Sequence, residues 1–147
     1  MWHGRLLSIG ICLFATQGLA AERYYCAVDD ANIKLSIDAG FVDAPGRKLN
    51  HFRGALIAKS AQVPDDFRKL MLDSSQLSEN WSFGDDLRLA IVAYNGNGDN
   101  AASAELVVLA SGKGNAAPMQ GSYTLTFGTP DNAKPVKLTG RLTCNAQ

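Results

Sequence analysis

Residues 136–144 read Val-Lys-Leu-Thr-Gly-Arg-Leu-Thr-Cys, a stretch in which apolar or small residues alternate with polar ones. A period of two is typical of a β-strand with one buried face, because successive side chains on a strand point to opposite sides. Cys144 falls on the apolar side of this alternation. The stretch therefore predicts a strand whose last cysteine points into the core.

The first 20 residues have the features of a secretory signal peptide in the usual order. Arg5 precedes an uncharged apolar run over residues 6–15, and the small residues Gly18 and Ala20 stand just before Ala21. A membrane anchor is the alternative, but spanning a bilayer takes roughly 20 apolar residues and this run has about half as many. We therefore predict cleavage after Ala20, a single mature domain over residues 21–147, no membrane span, and a periplasmic or secreted location.

The cysteine count supports the same interpretation. Cys12 would leave with the signal peptide, so that Cys26 and Cys144 remain near the two ends of the mature chain. Cys26 shares a strand face with Val28, which again points inward. Exported proteins form disulfides, and no C-x-x-C motif indicates a redox pair. We predict a Cys26–Cys144 disulfide between the terminal strands.

The two-residue period recurs along most of the mature chain, with clear examples at residues 33–38 and 87–93. The stretch Asn95-Gly96-Asn97-Gly98-Asp99-Asn100 is the strongest turn signal and predicts a hairpin. Residues 64–72 fit a helical turn or a strand about equally well. Seven to eight short strands in all predict an all-β domain, either an antiparallel β-sandwich or a small barrel.

Composition argues against several functional classes. Removal of residues 1–20 takes away Arg5 and no acidic residue, which leaves 13 basic and 14 acidic residues, a net charge of −1 and no basic stripe. Nucleic acid is therefore a poor partner candidate. His51 is the only histidine left, and with a bridged cysteine pair it cannot supply the ligands of a zinc site. We expect no cofactor, no metal and no catalytic residue.

Acidic residues give two further candidates. The pairs Asp29-Asp30, Asp65-Asp66 and Asp85-Asp86 are adjacent in sequence, and adjacent strand residues face opposite ways, so no pair is by itself a catalytic couple. The alternate oxygens at residues 95, 97 and 99 resemble part of a calcium loop, but Asn100 and Leu106 occupy the positions of the required Gly and Glu. Both features are interpreted as turns.

The remaining hypothesis is a non-enzymatic binding module for a protein or a glycan, of which an inhibitor or immunity-type protein is one form. Its candidate contact residues surround the predicted hairpin tip: Tyr94, Asn95, Asn97 and Asp99. Two alternatives stay open, a hydrolase with carboxylates from separate strands and a carrier with a hollow apolar interior. A deep pocket with clustered carboxylates would favour the hydrolase, a hollow apolar barrel the carrier, and a filled core with a protruding loop the binding module.

Overall fold

A computed structural model describes residues 22–42, 47–96, 101–112, 118–128 and 134–147. The predicted signal peptide lies outside these residues, as do Asn97 and Asp99 of the hairpin tip.

The described residues form nine β-strands and two short 3-10 turns. The strands are β1 Glu22–Asp29, β2 Ile33–Phe41, β3 Leu49–Ala58, β4 Lys69–Asp73, β5 Leu77–Phe83, β6 Asp86–Asn95, β7 Ala102–Ser111, β8 Met119–Gly128 and β9 Val136–Ala146. The 3-10 turns are Asp65–Phe67 and Ser74–Gln76. The all-β prediction is confirmed with slightly more strands than expected, and residues 64–72 contain both a helical turn and a strand.

The described strands form one antiparallel sheet that is nearly barrel-shaped, in the order β4-β3-β2-β1-β9-β8-β7-β6-β5. Neighbours in the sheet are neighbours in sequence, except that β1 pairs with β9. Of the two predicted architectures, the structure therefore has the barrel-like one. The predicted hairpin is the β6/β7 pair, in which Asn95 lies opposite Ala102.

The sheet comes close to closing because its two edge strands, β4 and β5, follow each other directly along the chain and pair with different strands. Strand directions alternate across an antiparallel sheet, so its two edge strands, β4 and β5, run in the same direction. Only Ser74–Gln76 separates them. β4 and β5 therefore form one nearly continuous extended stretch of chain. Its first part, β4, pairs with β3, and its second part, β5, pairs with β6.

In the described part of the protein, a cluster of buried apolar side chains fills the interior of the sheet. The largest side chains of this core are at most 2% exposed: Tyr24, Tyr123, Phe41, Phe67 and Phe127. The ring centroids of Tyr24 and Phe41 are 5.9 Å apart, as are those of Phe67 and Phe127. Burial of such side chains, at about 1.5–3 kcal/mol each, is the main force that stabilises the sheet.

The predicted disulfide joins the terminal strands. Cys26 and Cys144 are directly opposite in the β1/β9 pair, fully buried, and their Cα atoms are 4.0 Å apart. The bond links residues separated by 118 positions. The alternation in the first and last strands thus placed each sulfur correctly, because the side-chain period of a strand is two.

Candidate functional site

Two of the predicted contact residues are described. Tyr94 and Asn95 lie at the end of β6, where both side chains are exposed, and Tyr94 is 71% exposed. Asn97 and Asp99 are outside the described residues. Tyr94 therefore borders the hairpin tip on the outer surface, while the site as a whole stays a prediction.

His51 lies in a cluster of charged side chains on the outer face of β2 and β3. The Asp38 carboxylate, 16% exposed, is 2.7 Å from the Arg23 guanidinium, 3.1 Å from that of Arg53 and 3.4 Å from Nε2 of His51. The pKa of Asp38 is lowered, chiefly by the hydrogen bonds from Arg23, against the opposing effect of burial. The guanidinium groups of Arg23 and Arg53 thus share one carboxylate, as expected of a structural ion-pair network.

The side chains that stand out are two aromatic residues of β5, which were not among the predicted site residues. Trp81 and Phe83 point to the same outer face, and their rings stack with centroids 6.1 Å apart and planes 28° apart. They are 49% and 71% exposed. The alternation puts Ser82, not the aromatics, inside. Exposed aromatic pairs of this kind are typical of contact surfaces.

A cleft opens beside these aromatics. Pairing between β3 and β4 ends at Arg53 and Asp73, after which the chain turns towards β6. The gap, about 750 Å³ in volume, is lined by residues 47–49 on one side and 80–83 on the other. We call it the seam cleft.

The seam cleft follows the edge of β5. Successive residues of a strand point to opposite faces, so a depression lined by all of residues 80–83 lies along the strand rather than on one face. Within the described part of the chain, no strand pairing or backbone hydrogen bond connects residues 47–49 with residues 80–83. The backbone edge of β5 therefore faces the cleft.

A polar network forms the inner wall of the seam cleft. Ser82 is 5% exposed and is the one buried polar side chain in the part of the chain that the structure describes. Its hydroxyl is 2.9 Å from the Tyr24 hydroxyl and accepts a 3.4 Å hydrogen bond from Arg47, which also pairs with Glu22. Burial raises the pKa of Tyr24. Arg47 has a φ of 31°, a left-handed conformation that is unfavourable for a bulky residue.

A second, shallow depression of about 720 Å³ lies on the outer face of the sheet and also has Trp81 in its lining. Five of its lining residues form a row across the sheet, one from each strand from β5 to β9, and each lies directly opposite the next: Trp81, Arg88, Leu109, Ser122 and Arg141. Arg88 pairs with Glu79 at 3.2 Å. Arg141 has no ion-pair partner among the described residues. Trp81 thus stands where the two depressions meet.

No family model matches the chain, and neither the curated proteins nor the solved structures contain a match. Among the described residues, no helix is long and apolar enough to cross a membrane. Within the same residues, no group of three or more His, Cys, Asp or Glu side chains is placed to hold a metal ion.

Proposed function

We propose that this protein is an exported, non-enzymatic module that binds a protein partner through β5. The observation that carries the proposal is the stacked and exposed pair of Trp81 and Phe83 at the open edge of the sheet. The exposed part of these two rings leaves apolar surface in water, which forgoes about 25 cal/mol for each Å² that stays uncovered. A partner that covers them would recover that energy.

Several features favour a polypeptide over a glycan as the partner. Aromatic and Arg side chains are enriched at protein interfaces, and Trp81 has Phe83 on its own strand and Arg88 directly opposite. Tryptophan is also prominent among the residues that dominate binding energy. An open strand edge, furthermore, offers backbone donors and acceptors that match another polypeptide.

The interior and the termini support the rest of the proposal. The filled core favours a module that acts through its surface over a carrier with a hollow interior. A disulfide between β1 and β9 is compatible with export to an oxidising compartment. It also ties the first strand of the chain to the last, which suits a protein exposed to proteases.

Site-specific photo-crosslinking in the exporting cell tests the contact surface. A photoreactive phenylalanine analogue is placed at Phe83 and, as matched controls, at Tyr94 and Met71, which are 71% and 78% exposed. We expect a discrete protein adduct from position 83 and none from position 71. Equal adducts from all three positions, or none, would contradict the proposal. An adduct from position 94 alone would move the site to the hairpin.

The partner identified in this way is then used to measure affinity. Trp81→Ala should weaken binding by about thirtyfold, equivalent to about 2 kcal/mol, as expected of a dominant aromatic contact. The melting temperature should change little because the side chain is half exposed. Tyr94→Ala is the control, and an equal loss of affinity from it would refute the assignment to β5.

A further inference from the structure

We infer that the partner contributes an extended segment, which adds to the sheet as a strand in the seam cleft. This inference rests on the proposed function and specifies how β5 is used. It implies that the partner is recognised through its backbone as well as through its side chains. The occupant is a short stretch of polypeptide with alternating side chains.

The first reason is the open backbone of β5. An edge strand presents a row of unpaired N–H and C=O groups, and proteins usually protect such edges with lysine, proline, bulges or a covering segment. The pairing of β5 with β6 is irregular only between Leu77 and Glu79. Residues 80–83 contain neither lysine nor proline and pair regularly with β6. Among the described residues, their other edge has no strand partner, which leaves it open to an added strand.

The second reason is the size of the seam cleft. One residue of an extended chain within a sheet occupies about 160 Å³, from a rise of about 3.4 Å, a strand spacing of about 4.8 Å and a thickness of about 10 Å. The seam cleft, at about 750 Å³ and open to solvent, is several times larger, so it has room for a short extended segment rather than for one side chain. Residues 80–83 of β5 line it.

The third reason is the chemistry of the lining. Along an added strand, side chains on the outer face would lie beside Trp81 and Phe83, which favours apolar residues at alternate positions. The opposite wall carries Arg47 and Lys48, and residues 47–49 and 80–83 include no acidic residue. Arg47 is matched by Glu22, whereas Lys48 has no ion-pair partner among the described residues. The preferred segment therefore carries an acidic residue that reaches Lys48.

Selection of linear dodecapeptides from a phage-displayed library, with the disulfide-bonded mature chain as the target, tests this inference. We expect enriched peptides to combine alternating apolar residues with an Asp or Glu. Lys48→Glu should weaken their binding at least tenfold, and Met71→Ala, at a residue of β4 that is 78% exposed, should leave it unchanged. Failure to enrich any linear peptide, or binding that Tyr94→Ala weakens and Lys48→Glu does not, would overturn the inference.

N-methylation of the selected peptide, one backbone amide at a time, distinguishes strand addition from side-chain contact. In strand pairing, alternate amides point towards the neighbouring strand. Methylation should therefore weaken binding about tenfold at every second position and little at the positions between. A profile without this alternation would refute strand addition, while adducts at position 83 would still support the proposed function.

A second copy of this chain is the other occupant to be tested. Sedimentation of the mature protein at rising concentration should show a monomer. A dimer that is abolished by Trp81→Ala would assign the seam cleft to self-association and overturn the inference. Thermal melts of each variant confirm that the differences do not arise from unfolding.

Discussion

The Tyr123 hydroxyl donates a 2.7 Å hydrogen bond to Oδ2 of Asp30, a residue 93 positions earlier in the chain. The other carboxylate oxygen of Asp30 accepts hydrogen bonds of 2.8 Å from the backbone N–H groups of Asn32 and Ile33. One carboxylate therefore shapes the β1–β2 turn and attaches it to β8. Since the Tyr123 ring is fully buried, this contact couples a surface turn to the core.

This contact predicts how stability depends on alkaline pH. Burial, followed by the hydrogen bond to Asp30, raises the pKa of Tyr123 to about 12, whereas an unfolded tyrosine has a pKa of about 10. Its contribution to stability is therefore fully present below pH 10 and is lost as the pH rises towards 12. Denaturant unfolding at several pH values should show the advantage of the wild type over Tyr123→Phe shrinking across that interval. A constant difference would contradict this prediction.

Gly140 is expected to be intolerant of a side chain. It lies directly opposite Tyr123 in the β8/β9 pair, and an added methyl carbon would lie 2.7 Å from Cζ of Tyr123 and 2.6 Å from Oδ2 of Asp30. Gly140→Ala should lower the free energy of unfolding by about 1–3 kcal/mol through overpacking. Gly128→Ala is the control, since the nearest atom is the Ser103 hydroxyl at 3.2 Å. Equal stability of the two variants would contradict this prediction, because it would mean that Tyr123 and Asp30 move aside without cost.

Loss of the disulfide should reduce stability while retaining the fold. Replacing Cys26 and Cys144 with alanine should lower the free energy of unfolding by about 2–5 kcal/mol, because the bond restricts a long loop in the unfolded chain. Circular dichroism should show that the sheet remains, since both positions also pair through the backbone. Free thiols in the native exported protein would contradict the disulfide itself.

The charged cluster at Asp38 makes a prediction at acidic pH. The pKa of Asp38 is lower in the folded protein than in the unfolded chain, where it is about 3.9. The stability that Asp38 contributes is therefore fully present above a pH of about 3.9 and is lost as the pH falls through the folded-state pKa. Asp38→Asn should cost about 1 kcal/mol at pH 7, and the difference from the wild type should shrink below pH 4. Asp29→Asn is the matched control, and its loss should be smaller because Asp29 is more exposed. A larger loss in the control would refute the role of the cluster.

The predicted processing site remains to be measured. Mass spectrometry of the exported protein should give a mature chain that starts at Ala21. Retention of Met1 would contradict both the signal peptide and the export on which the proposed function depends.

Much of the fold was predictable because its signals are local. Alternation at residues 33–38 and 136–144 predicts strands without any knowledge of their partners. Alternation at residues 24–28 and 136–144 also places Cys26 and Cys144 on inward faces. The turn signal after Tyr94 predicts the β6/β7 hairpin in the same way. Each of these inferences depends only on neighbouring residues and on the two-residue period of a strand.

The candidate site was not predictable in this way. The period shows that Trp81 and Phe83 share a face, but it does not show which face is buried, and the structure places Ser82 inside. Local sequence also does not show that β4 pairs with β3 while β5, which follows it directly, pairs with β6. That difference depends on how the whole sheet curves and pairs. The sequence by itself therefore determined the all-β class, the β6/β7 hairpin and the disulfide, which follow from local alternation, from turn residues and from cysteine number. Only the tertiary structure decided the seam cleft and the exposure of its aromatics, because both depend on pairings between residues that are distant along the chain.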